Sequence, residues 1–139
     1  MMDTRVEFSK YITARYEDGS VFTFHKIEFE DRIVLNIQIE GIMDTTFRIP
    51  VSTRAFINSY INEEGDNDLG IEPRIIVGNH KNIKMTVVAT QIGKVVQLSK
   101  RPKEVILSVG SKWFGKGDEV GENDFQKLMF ILENVKMIL

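Results

Sequence analysis

The spacing of apolar and polar residues changes period along the chain, and the changes mark where sheet gives way to helix. In Arg32 to Glu40, Ile33, Leu35, Ile37 and Ile39 point one way while Val34, Asn36, Gln38 and Glu40 point the other. A period of two is that of a strand with one buried face. Arg5 to Tyr16 and Val21 to Glu30 are rich in aromatic and β-branched residues and are parted by the turn signal Asp18-Gly19, so both read as strands. Few residues join Val21 to Glu30 with Arg32 to Glu40, which predicts a hairpin. Thr45 to Ile49 sets Thr45, Phe47 and Ile49 on one face before Pro50 stops it, as proline stops a ladder. These four runs predict an antiparallel meander.

Thr53 to Ile61 reads as a short helix, and the following stretch to Gly70 carries four acids and two glycines, the composition of a solvated loop. Arg74 to Val77 is a further short strand. From Asn82 to Leu98 the period becomes helical: Met85, Val88, Ala89, Ile92, Val95 and Val96 follow i, i+3, i+4 spacing, with Asn82 as N-cap. Glu104 to Gly110 is an apolar strand, and Trp113 to Glu122 is a second loop with three acids and three glycines. A last helix opens at Asn123, with Gln126 at capping-box distance. Its apolar stripe is expected to be Phe125, Leu128, Met129, Leu132, Val135 and Leu139, with Lys127, Glu133 and Lys136 in water.

Two helices with one apolar stripe each pack most simply on one face of a mostly antiparallel sheet of about six strands, an α+β fold. Residues 1–139 are expected to form one domain, with acidic loops near 62–72 and 113–122. The other sheet face is expected to carry Phe22, Phe24 and Val34 beside Lys26, Asn36, Gln38 and Arg48. That mixture is too apolar for bulk solvent and too polar for a core, so it suggests dimerisation or another partner. Trp113 is a further candidate anchor, since tryptophan is favoured at interface hot spots, although it can equally cover the end of the last helix.

Composition narrows the function classes. The 139 residues include no cysteine, which excludes a disulfide framework, a zinc finger and thiol chemistry. A net charge of −2 gives no general attraction to nucleic acid or to an anionic membrane. It also hides two acidic loops set against Lys100, Arg101 and Lys103. Met1 to Lys10 holds Asp3 and Glu7 and no apolar run, so it is not read as a signal peptide, and the expected setting is cytoplasmic, with the nucleus as the other compartment.

Chemistry is sparse. The two histidines, His25 in a strand and His80 in a loop, lack metal-ligand spacing, and the acids 63–68 lack the periodic oxygens of a calcium loop. Gly78 to Asn82 precedes a helix but holds a single glycine where a phosphate loop needs several. Ser111 and Lys112 are adjacent loop residues and define no site. A catalytic reading requires His25 or His80 beside Asp44 or Ser111 in a pocket. No catalytic residue, metal site or cofactor is expected, and the chain is read as a binding protein.

Two stretches carry a family resemblance. Ile33 to Phe47 joins an apolar strand to a return strand through a Gly-x-Met-x-x-Thr turn, here Gly41, Met43 and Thr46. Ser108-Val-Gly-Ser-Lys-Trp113, and Asn123 to Lys136 after the acidic loop, make up the second. Together they resemble the proteasome assembly chaperone 3 family, its fungal branch in particular. The resemblance implies a non-enzymatic chaperone that apposes its sheet to that of proteasome assembly chaperone 4 and binds an α-type subunit, the fifth in particular. It further implies that the pair promotes α-ring assembly of the 20S core particle and leaves before the particle matures. The half-apolar face would be the dimer surface, and a homodimer is one form open to the chain when alone. The rival expectation is a profilin-like or longin-like binding scaffold in trafficking or signalling.

Overall fold

The computed structural model describes residues 9–52, 70–99, 102–115 and 121–139. The expected start of the first strand at Arg5, the short helix Thr53 to Ile61, the acidic residues 63–68, Lys100, Arg101 and the middle of the second acidic loop lie outside these. Six strands form one sheet: β1 (Ser9–Arg15), β2 (Val21–Glu28), β3 (Arg32–Ile39), β4 (Thr45–Ile49), β5 (Arg74–Val77) and β6 (Glu104–Val109). Two helices, α1 (Ile83–Gln97) and α2 (Asp124–Ile138), pack on one face.

The spatial order is β1-β2-β3-β6-β4-β5. β1, β2 and β3 form the expected antiparallel run, but β4 does not continue it. β6 lies between β3 and β4, parallel to the first and antiparallel to the second. The meander of four consecutive strands is therefore corrected to three, with the late strand inserted beside the third. The reason is visible in β6 itself. Its largely apolar run Val105-Ile-Leu-Ser-Val109 suits a strand with neighbours on both sides.

The covered face buries Phe22, Phe24, Leu35, Ile37, Phe47, Ile49, Val105 and Leu107 against Met85, Val88, Ala89, Ile92 and Val96 of α1 and Ile131, Val135 and Ile138 of α2. Asn82 caps α1 as expected, its side chain accepting from the Met85 N–H at 3.2 Å. Gln97 at the other end of α1 is buried and bridges two segments, donating to the Lys103 carbonyl at 2.7 Å and accepting from the Ser52 N–H at 3.3 Å. Gly110 lies so close to the 39–42 turn that a Cβ would stand 2.6 Å from the Ile42 carbonyl oxygen.

α2 departs from expectation in two ways. Asn123 makes no capping bond; the Asp124 carboxylate instead accepts from the Gly121 N–H at 2.6 Å and pairs with Lys84 of α1 at 3.0 Å. The helix is also rotated, so that Ile131, Asn134, Val135 and Ile138 are buried while Phe125 and Met129 are exposed. The rotation brings Phe130 against Phe22 and Tyr16, each with ring centroids 5.0 Å apart.

Phe24 is fully buried, so Phe24→Ala is expected to lower unfolding free energy by about 3–5 kcal/mol, read by chemical denaturation.

Candidate partner-binding site

Residues opposite one another on paired strands share a face, so the registers define the side of the sheet away from the helices. One row across it runs Ser9, Ile27, Val34, Ile106, Arg48, Arg74. The next runs Tyr11, His25, Asn36, Ser108, Thr46, Val77, and a third Thr13, Thr23, Gln38. Among the described residues, no element packs over these rows. Their middle is an apolar strip, Ile27, Val34 and Ile106, beside neutral polar groups.

Four of the seven expected binding residues, Val34, Asn36, Gln38 and Arg48, do share this face. Phe22 and Phe24 do not. They pair with Ile39 and Ile37 on the helix side and are fully buried. Lys26 is with them, 5% exposed, opposite Leu35. Its stem lies in the core edge while its ammonium reaches Glu28 at 3.3 Å, a snorkelling arrangement. Lys103 meets the other Glu28 oxygen at 3.3 Å. Burial opposes ionisation of Glu28, but its bonds and charges from Lys103 and Lys26 hold the carboxyl below the ordinary value.

Thr23, His25 and Ile27 occupy the open face in place of Phe22 and Phe24. The signal that finds them is the aromatic pair itself: once both phenylalanines are taken for the core, the alternating residues must face out. His25 Nε2 lies 2.8 Å from Ser9 Oγ. With Tyr11, Thr23, Asn36, Gln38 and Met43 it lines a shallow depression of about 250 Å³. Thr46 and Ser108 hydroxyls bond at 2.9 Å, and Arg48 Nε donates to Glu104.

Trp113, the seventh candidate, lies away from this face. It stands in a short 3-10 turn, Lys112–Phe114, edge-on to Phe22 at 4.7 Å and to Tyr16 at 5.1 Å. Its Nε1 donates to Asp18 Oδ2 at 2.8 Å, and the Lys127 ammonium sits 4.7 Å from its ring centroid. This ring joins the β1-β2 turn to the start of α2 and is structural. The loop expected over 113–122 thus opens with an ordered aromatic turn.

Asp44 and Ser111 come together: the carboxylate accepts from the Ser111 N–H and hydroxyl, each at 2.8 Å. Neither histidine joins them, since His25 bonds Ser9 on the sheet face and His80 stands exposed in the turn before α1. The pair ties the 40–44 turn to the end of β6. Among the described residues, no cluster of His, Asp and Glu could hold a metal ion.

Among the described residues, this six-stranded face carries an apolar strip and no covering element. The family model for 20S proteasome chaperone assembly proteins 3 and 4 matches residues 2–136. The chain belongs to that family. The family's fold is also seen in a chain from the crystal structure of a chaperone complex for yeast 20S proteasome assembly, at a TM-score of 0.67 and 19% identity over 94% of this chain and 97% of that one. No curated protein is a significant sequence match.

The turn that carries the family resemblance is tightly specified. Glu40 and Gly41 both have positive φ, 52° and 76°, as a type I′ turn requires, and Ile39 and Ile42 exchange backbone bonds at 3.1 and 3.0 Å. Met43 lines the depression, Asp44 takes the Ser111 bonds and Thr46 bonds Ser108. Each member of the motif therefore holds either the turn or the open face.

Burial works against the Asp44 charge, but the bonds from Ser111 and Thr45 outweigh it and lower its pKa; the Ser20 N–H, joined by the Trp113 N–H against the effect of burial, does the same for Asp18. Their stabilising contribution is complete above the unfolded carboxylate value of about 3.9 and is lost as pH falls through the lower folded values. Melting temperature is expected to hold from neutral pH to about 5 and to fall below about 4. Asp44→Asn should lower it at neutral pH and flatten the acid decline, which thermal melts across a pH series will read.

Proposed function

We propose that this chain is the chaperone 3 member of its family. It pairs through the open sheet face with proteasome assembly chaperone 4, and the composite surface holds an α-type subunit, the fifth in particular, while the α-ring assembles. The observation that carries the reading is the uncovered row Ile27, Val34 and Ile106 beside neutral hydroxyl and amide groups. A second sheet laid on it removes the apolar strip from water and leaves the polar neighbours able to bond across the contact. A stable contact of this kind buries above about 1,000 Å² in total.

Action is by binding and templating, and the pair leaves before the particle matures. The cytoplasmic or nuclear setting belongs to the same proposal. Membership of a proteasome assembly family, together with the yeast complex that shares the fold, favours this reading over a trafficking scaffold of profilin or longin type.

Expressed alone, the chain is expected to be poorly soluble, and coexpression with the partner chaperone should recover a soluble pair that captures an α-type subunit. A well-behaved monomer without affinity for that partner overturns the reading. Val34→Asp places a carboxylate in the middle of the apolar strip while leaving the helix-covered core intact. It should weaken pairing at least tenfold by burying an unpaired charge, with an unchanged circular dichroism spectrum. Phe24→Glu is no substitute, because Phe24 is a core residue and its loss would test folding.

A further inference from the structure

The charges on the open face are unlike those of the chain as a whole. The chain carries −2, yet among the described strand residues the face holds Arg15, Arg32, Arg48 and Arg74 against one carboxylate, that of Glu104. Glu104 is already engaged by Arg48, and Arg32 by Asp31 of the adjoining turn at 3.2 Å. Arg15 and Arg74 have no ion-pair partner among the described residues. They stand on the two edge strands, β1 and β5, at opposite ends of the rows.

One pairing is unfavourable within the monomer. Arg48 lies directly opposite Arg74 on neighbouring antiparallel strands, where like charges destabilise a sheet. Glu104 offsets only one of the two. A carboxylate delivered from above the sheet, between these guanidiniums, would turn the repulsion into a charge-assisted bridge.

Resting on the reading that this face is the pairing surface, we infer that it selects a partner sheet with an apolar centre and acidic groups at two corners, over Arg48–Arg74 and over Arg15, and rejects a second copy of this chain. Among the described strand residues, a second copy brings the same arginines and no uncommitted carboxylate on its open face, so self-pairing of the strands apposes cations without strand anions to meet them. Like-charge juxtaposition of this sort is how interfaces exclude wrong partners.

The two associations then answer to salt with opposite signs. Screening weakens the attraction in the pair with chaperone 4 and relieves the repulsion in self-association. Affinity of the purified chain for chaperone 4, measured by titration calorimetry, is expected to fall about tenfold between about 0.05 and 0.5 M salt, while self-association read by sedimentation strengthens over the same range. Arg74→Glu and Arg15→Glu, both at exposed positions, should each weaken the mixed pair about tenfold at low salt; Arg15→Glu should leave the melting temperature unchanged, Arg74→Glu should raise it by relieving the Arg48 repulsion, and Arg74→Lys should retain most of the pairing. Pairing that ignores both salt and charge reversal overturns the selection while leaving the pairing face intact. Tight self-association at low salt also overturns it. Failure of the unaltered chain to bind chaperone 4 at any salt overturns the pairing reading, and the selection with it.

Discussion

The insertion of β6 between β3 and β4 is the contact on which the remaining structure depends. It joins the three N-terminal strands to the β4-β5 pair, and its residues 105, 107 and 109 close the core beneath both helices. Its other three, Glu104, Ile106 and Ser108, supply the middle of the uncovered face. Both functions follow from one register, because a slip of a single residue would exchange the two faces. The same strand is also reached late. Residues 32–39 must find 104–109 across more than sixty intervening positions, and pairings of such separation slow folding. Gly110 and the Asp44–Ser111 bonds secure the join at one end, and Gln97 secures the other.

Much of this was legible in the residues. The alternation in β3, the capped helix from Asn82 and the α+β class all follow from period and capping chemistry, because each depends on local spacing. The failures are failures of phase and of neighbourhood. In β2 the two alternating sets, Phe22, Phe24, Lys26 and Thr23, His25, Ile27, each mix apolar with polar residues, so parity alone could not decide which faced the helices. What decides it is the burial of the aromatic pair Phe22 and Phe24, which Lys26 can accompany because its stem is buried while its charge reaches Glu28 at the rim. In α2 the buried stripe includes Asn134, whose amide bonds the Phe130 carbonyl at 2.9 Å. A polar residue satisfied within its own helix gives no hydrophobic signal.

The position of β6 was beyond any local pattern, since spacing says nothing of which strands become neighbours. Its largely apolar run is that of a strand buried between neighbours, and its parallel pairing with β3 follows from the crossover through α1. Four of the seven candidate residues were placed on the open face because they alternate with β3 and β4 core positions that were read correctly. The arginine at position 74 was missed because a four-residue edge strand carries too little periodicity to assign a face.

The placement of Trp113 has a practical side. It is the sole tryptophan of the chain, and its indole is fixed among Tyr16, Phe22 and Phe130 with Asp18 and Lys127 as polar contacts, on the far side of the sheet from the open face. Its emission therefore reports on whether the β1-β2 turn and α2 are docked, and is blind to what lies on the opposite surface. The molecule thus carries a built-in optical separation between folding of the helix-covered side and events on the opposite sheet face.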